Sequence, residues 1–285
     1  LSQLREENYG RGASPIAKYI LLVAVIIVGS IAGWLYYPQY QISQLKKQSL
    51  EASVEESSPT YIDYYSTYPK KTLYHLALGD SIIRGVGAGQ GENLVSKFSE
   101  EFGRLTNKEV DFRNEGISGM TSGELRQLVD SRKYDEEIKR ANIITVNIGG
   151  NDVLKAAKKT DFQSAFKAFD SIQESFTQNL ADIAARITEI NPKATIVFLE
   201  LYNPLNPDAA YYGMADKLLP KWNLNIYRTA KGIPTAIVVE TSKVINGKNL
   251  QNLSPDGVHP NSLGYQAIAS QIIFQLRTSM KKAAV

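Results

Sequence analysis

Four short polar signatures follow one another along this chain. They are Gly79-Asp80-Ser81-Ile82, then Asn114-Glu115-Gly116-Ile117-Ser118-Gly119, then Gly149-Gly150-Asn151-Asp152, and last Asp256 with His259 three residues on. A serine hydroxyl is a weak nucleophile until a base takes its proton, and a histidine can accept that proton near neutral pH and return it to a leaving group. Asp256 can accept the other imidazole N–H of His259, which fixes the tautomer and stabilises the imidazolium. Gly119 and Asn151 are candidate donors to the oxyanion that forms when a carbonyl is attacked. Together these residues are a part list for acyl transfer through an ester of Ser81.

Each residue also has a plainer reading. Asp80-Ser81 can turn the chain and cap a helix, and Gly and Asn are common turn residues. Ser254-Pro255-Asp256-Gly257 is a good turn sequence, which is compatible with Asp256 serving His259. The second histidine, His75, lies inside an apolar run and reads as a core side chain. Glycines at 85, 87, 89 and 91 alternate with other residues instead of forming Gly-x-Gly-x-x-Gly, and no Gly-Lys-Ser/Thr follows. They read as a flexible loop beside Ser81, not as a nucleotide site. Two distant histidines and an absence of cysteine leave no metal-ligand cluster, and no cofactor is expected.

The elements that must position these residues alternate from residue 72 onward. Short apolar runs at 73–78, 110–114, 143–148, 195–201 and 235–239 read as strands, mostly covered on both faces. Helices are expected at 93–105, 122–131, 161–190 and 208–229, and from 261 to 279. Strand–helix alternation of this kind makes a parallel sheet, in which all strands end on one rim. Ser81, Gly119 and Asn151 follow the first three strands and the Asp256–His259 segment follows the fifth, so residues far apart in sequence converge there. In the longest helix, Phe162, Phe166, Phe169, Phe176, Leu180, Ile183, Ile187 and Ile190 form a stripe that reads as the face packed on the sheet.

The four blocks, in this order and spacing, resemble the SGNH hydrolase superfamily, also called GDSL esterases and lipases, over residues 73–275. Ile82 stands where many members carry Leu, and the blocks around Gly119 and Asn151 are similar to those of lysophospholipase and thioesterase-type members. The resemblance implies a three-layer α/β/α sandwich with a five-stranded parallel sheet in the flavodoxin-like order 2-1-3-4-5. It also implies a catalytic triad of Ser81, Asp256 and His259 and an oxyanion hole formed by the N–H groups of Ser81 and Gly119 and the amide of Asn151. Asp80 and Asp152 read as supports that hold the loops. The activity implied is hydrolysis of carboxylic esters of lipids or related substrates. Removal of acetyl groups from cell-wall or other glycans is the alternative, and a non-catalytic glycan- or lipid-binding domain is a third reading that the intact residue set argues against.

The whole chain sets further bounds. Its 285 residues allow one large domain and an appendage, 43% apolar content is ordinary, and a net charge of +3 without an aromatic-interleaved basic cluster argues against nucleic-acid partners. The absence of cysteine excludes disulfides, a cysteine nucleophile and a lipoprotein anchor. Residues 19–37 carry no charge and would make a helix about 28 Å long, close to bilayer thickness, with Trp34, Tyr36 and Tyr37 at one end. Arg5, Arg11 and Lys18 before it outnumber Lys46 and Lys47 after it, which favours a cytoplasmic N-terminus and an extracellular domain. A signal sequence cleaved near Ala32 is the rival reading, but the apolar run continues past that site through Trp34 and Leu35. The expected organisation is a cytoplasmic segment at 1–18, a transmembrane signal-anchor helix at 19–37, a polar stalk at 38–71 and the catalytic domain at 72–285. Tyr61, Tyr64, Tyr65 and Tyr68 read as a strap docked on that domain, and residues 201–207 with Tyr211, Tyr212, Met214, Leu218 and Leu219 as a lining for an acyl pocket or as core.

Overall fold

A computed structural model describes residues 15–53, 59–157, 162–278 and 280. Arg5, Arg11, the expected helix start at Asp161 and the expected helix end at Ser279 lie outside the described residues. The elements in chain order are α1 (Pro15–Ser53), α2 (Tyr61–Ser66), β1 (Thr72–Gly79), α3 (Ser81–Arg84), α4 (Leu94–Thr106), β2 (Glu109–Gly116), α5 (Ser122–Asp130), α6 (Asp135–Arg140), β3 (Ile143–Asn147), α7 (Gly150–Ala157), α8 (Phe162–Ile190), β4 (Thr195–Leu199), α9 (Tyr212–Lys231), β5 (Ala236–Val239) and α10 (Ser262–Leu276).

The five strands form one parallel sheet in the order β2-β1-β3-β4-β5. Side chains alternate across a strand, so the sheet feeds two cores. Leu76, Leu78, Ile144, Val146 and Phe198 face Leu125 of α5, Phe176, Leu180, Ile183 and Ile187 of α8 and Trp222 of α9. Leu73, Ala77, Val197 and Val239 face Phe98 and Phe102 of α4 and Tyr265, Ile268 and Ile272 of α10. From Phe169 to Ile190 the α8 stripe packs on the sheet, as its period requires; the side chains of Phe162 and Phe166 lie outside the described ones. β3, β4 and the edge strand β5 are buried along their whole length, whereas the other edge strand, β2, has exposed residues and an Arg113–Glu115 ion pair.

Three local readings change. The stretch expected as a polar stalk is helical as far as Ser53, because α1 runs on through Pro38 and packs Ile42 and Leu45 against the core that α9 lines. The tyrosine cluster forms α2, opened by a Thr60–Asp63 capping box, with Tyr61 and Tyr65 buried. The Tyr65 hydroxyl donates to the Asn142 carbonyl (2.6 Å), just before β3, so the strap docks at the edge where strands begin. The short helices α6 and α7 were not anticipated, since six- and eight-residue helices barely establish a period.

Candidate active site

The strand register brings the three N-terminal blocks together: Gly79 at the end of β1 is paired with Gly116 of β2 on one side and Asn147 of β3 on the other. Gly79 has φ +153°, and a Cβ there would lie 2.0 Å from the Asn147 carbonyl oxygen. Only glycine lets β1 turn so closely under β3, and Ser81 emerges from that turn as the first residue of α3. Asp80 caps α3, its carboxylate accepting the Ile82 N–H (2.9 Å).

His259 closes on Ser81 from the far end of the sequence. Its Nε2 lies 2.9 Å from Ser81 Oγ and its Nδ1 lies 2.6 Å from Asp256 Oδ2. An ionised carboxylate only accepts, so Nδ1 carries the proton and donates it to Asp256, which leaves the Nε2 lone pair to accept the Ser81 hydroxyl. Asp256 Oδ1 accepts from Ser254 Oγ (2.7 Å), Val258 N (2.9 Å) and His259 N (3.0 Å). Desolvation pushes this carboxyl up, but the His259 and Val258 N–H groups, the imidazole and the Ser254 hydroxyl outweigh it and hold Asp256 well below the usual carboxylate range. The turn reading and the histidine-partner reading of Ser254 to Gly257 thus describe the same hydrogen bonds.

The block after β2 is held by the block after β3. Asn151 and Asp152 lie in the first turn of α7, where the Asn151 amide donates to the Met120 carbonyl (2.9 Å) and keeps a second N–H. Asp152 accepts from Ser122 N (2.9 Å) and Ser122 Oγ (2.7 Å), with its own carboxyl pushed up by burial. Gly119, between these clamps, has φ +82° and an open space where a Cβ would project. Its glycine is required by the backbone conformation, and its surroundings are free for a ligand. Asp80, 3% exposed, is pushed up to about 7, chiefly by burial against the pull of the Ile82 N–H and His259, with nearby Asp152 adding to the rise.

One expectation about the surrounding loops needs correction, and one left open between two readings is resolved. The glycine-rich loop is tied down: Tyr265 OH donates to the Val86 carbonyl (2.7 Å), and Gly89 N donates to Ser262 Oγ (3.2 Å), which also bonds Glu92. It therefore braces the Ser81 element against the His259 loop and the start of α10. Residues 201–205 are mostly built into the scaffold, with both backbone groups of Leu201 paired to the Asn223 side chain (2.8 and 2.9 Å) and Tyr202 OH donating to the Val258 carbonyl (3.0 Å) beside His259. Tyr211 and Met214 remain exposed at the start of α9. Ser122 was not singled out from sequence, Tyr202 was named only within the 201–207 segment and Ser254 only as part of a turn. Ser122 had a local signal, since it lies within the Thr121–Glu124 capping box that opens α5.

Among the described residues no group of three or more His, Cys, Asp or Glu side chains is placed to hold a metal ion. A model of the GDSL-like lipase/acylhydrolase family matches residues 77–267. The spore germination lipase LipC of Bacillus licheniformis is 30% identical over 206 residues, covering 70% of this chain and 95% of that protein. The uncharacterized protein YpmR of Bacillus subtilis is 26% identical over 223 residues, covering 77% of this chain and 88% of that protein. Among solved structures, the lipase Lip_vut3 from a goat rumen metagenome is similar with a TM-score of 0.63 and 28% identity, covering 71% of this chain and 97% of that one.

Proposed function

The chain belongs to the GDSL-like lipase/acylhydrolase family and is a carboxylic ester hydrolase, and on that premise we propose that it acts through an acyl ester of Ser81. The observation that carries this reading is the chain of hydrogen bonds from Ser81 Oγ through His259 to Asp256, 2.9 and 2.6 Å long. Ser81 Oγ attacks the ester carbonyl carbon while His259 Nε2 takes its proton. Asp256 accepts from Nδ1 throughout and stabilises the imidazolium. The N–H groups of Ser81 and Gly119 and the second amide N–H of Asn151 donate to the oxyanion. His259 then gives its proton to the departing alkoxide oxygen. A water molecule, deprotonated by His259, attacks the acyl-enzyme and releases the carboxylic acid and the free serine. Asp80 and Asp152 act through the loops they hold.

The substrates in this reading are acyl esters of lipids, and the chain is tethered to a membrane by residues 19–37 with its domain on the extracellular side. Among the described residues one helix is long and apolar enough to cross a membrane, with a mean hydropathy of 2.2 over its most apolar 18 residues. The test is a panel of p-nitrophenyl esters from acetyl to long-chain with the unaltered chain and Ser81→Ala, alongside a fluorophosphonate that labels active serines. Turnover rising with acyl length and a single label on Ser81 are expected. A preference confined to acetyl esters would move the substrate class to acetylated glycans, and undiminished turnover by Ser81→Ala would remove the mechanism.

A further inference from the structure

The apolar half of α1 leaves the domain on the side that carries the catalytic rim. The chain enters α9 from the C-terminal end of β4, so α9 starts at the rim and descends to Lys231, near the beginning of β5. α1 descends beside it in the same direction: Trp34 lies under the Lys221 ammonium, Lys46 reaches the Tyr227 ring, and Lys231 donates to Gln48 (3.0 Å). A few residues after α1 the chain reappears in α2, docked through Tyr65 at the edge where strands begin. Residues 19–33 therefore point away past the opposite edge, the one holding Ser81 and His259. The level is set as well. Asn223, two residues beyond Lys221, clasps Leu201 just past β4, so Trp34 stands level with the strand ends.

A second observation is independent of α1. Large apolar side chains stand exposed on the segments that follow four of the strands: Ile117 after β2, Leu154 after β3, Tyr211 and Met214 after β4, and Val258 and Leu263 after β5. Outside α1, among the described residues, only Leu250, also past β5, and Phe112 and Phe274, away from the rim, are comparably exposed. A ring of apolar residues around a partly open polar site, with interfacial aromatics at its level, is the composition of a surface that sits in a headgroup layer.

We propose that this rim rests on the bilayer that residues 19–37 cross, so that Ser81 takes acyl esters of lipids from the leaflet the enzyme is anchored in. The inference depends on the anchored ester hydrolase described above and adds the orientation and the source of substrate. Tethering makes the encounter with lipid intramolecular in two dimensions, and a rim already facing the headgroups needs no reorientation before an ester carbonyl reaches Ser81.

Because the chain has no cysteine, Leu263→Cys and Lys193→Cys each give a single labelling position, one on the rim and one on the exposed turn before β4 at the opposite edge. The full chain, carrying an environment-sensitive fluorophore at either position, is reconstituted into phosphatidylcholine vesicles containing brominated phosphatidylcholine. Emission at 263 should fall by about half or more with emission at 193 unchanged. Equal emission at both positions, or quenching at 193, overturns the proposal. In the same vesicles Leu154→Glu with Leu263→Glu should lower hydrolysis of phosphatidylcholine about tenfold or more, with p-nitrophenyl butyrate turnover within about twofold of the parent, which also reports that the variant is folded. Unchanged phosphatidylcholine hydrolysis overturns the proposal with the esterase intact. If the unaltered chain cleaves neither ester the esterase reading falls, and if high salt strips it from vesicles the anchor falls; either result takes the proposal with it.

Discussion

The molecule holds two histidines, and each is hydrogen-bonded to a serine. His259 Nε2 lies 2.9 Å from Ser81 Oγ, and His75 Nδ1 lies 2.9 Å from Ser99 Oγ. The difference lies in the second ring nitrogen and in access. His259 gives its Nδ1 to a carboxylate and stands partly open at the rim, whereas His75 gives its Nε2 to the Thr145 hydroxyl (2.9 Å), stacks edge-on against Phe98 and is 1% exposed. Burial with no charged partner pushes the His75 pKa down to about 3, so at neutral pH it is a neutral connector between α4 and the sheet. A Ser–His hydrogen bond alone is therefore not a catalytic arrangement. A carboxylate must stabilise the imidazolium, and a substrate must be able to reach the hydroxyl.

The sharpest way to break this comparison is to remove each serine in turn. Ser81→Ala should lose about a thousandfold or more in ester turnover while keeping its fold, and Ser99→Ala should keep turnover and lose on the order of 1 kcal/mol of stability to an orphaned imidazole bond. Comparable turnover losses in the two variants would erase the distinction. Next come the partners at the rim. His259→Ala should cost more turnover than Asp256→Asn, since the carboxylate orients and stabilises a base that remains present, and single-turnover measurements should reveal the order. Asn151→Ala should lower kcat roughly a hundredfold to a thousandfold with a smaller change in KM, because its amide is needed most when charge develops. An effect confined to KM would make Asn151 a substrate-binding residue.

The smallest expected effect concerns pH and stability. Asp80, pushed up to about 7, holds a proton in the folded chain that the unfolded chain has already lost above ordinary carboxylate pKa values. Its contribution therefore favours folding at low pH and is lost as pH rises toward 7. His75, pushed down to about 3, works in the other sense, because the unfolded chain takes up a proton below about pH 6.5 that the folded chain refuses. Between about pH 4 and 6.5 the two slopes, each about 1.4 kcal/mol per pH unit at most, oppose one another. The raised carboxyls of Asp152 and Glu200 add a fall with pH to this background, so the test compares slopes in urea unfolding across the window: Asp80→Asn, which keeps the helix cap, should have a more positive slope than the unaltered chain, and His75→Gln a more negative one. The slope is the readout, so a general loss of stability leaves the test intact. Parallel slopes in all three proteins would mean that neither group carries the linkage.

Much of the fold was legible because the strands are short apolar runs and the long helices carry clear stripes, which local sequence alone dictates. Five strands and the main helices fall within a few residues of their expected bounds, and the residues Ser81, Gly119, Asn151, Asp256 and His259 could be named from motif spacing. Other features depend on contacts between distant segments, so that even where one partner was named from sequence the pairing was not. The clamp of Asp152 on Ser122, the Tyr202 hydroxyl on Val258 and the brace of the glycine loop on α10 each join residues separated by tens of positions or more. The same holds for α1, whose residues 38–53 look polar enough for a free stalk until Ile42 and Leu45 meet the core beside α9. Composition thus determined that this chain carries a serine, a histidine, a carboxylate and an apolar segment of membrane length. Only the tertiary structure decided that the first three meet within hydrogen-bonding distance and that the fourth leaves the domain past the same rim, because both outcomes follow from how the sheet and α9 direct the chain in space.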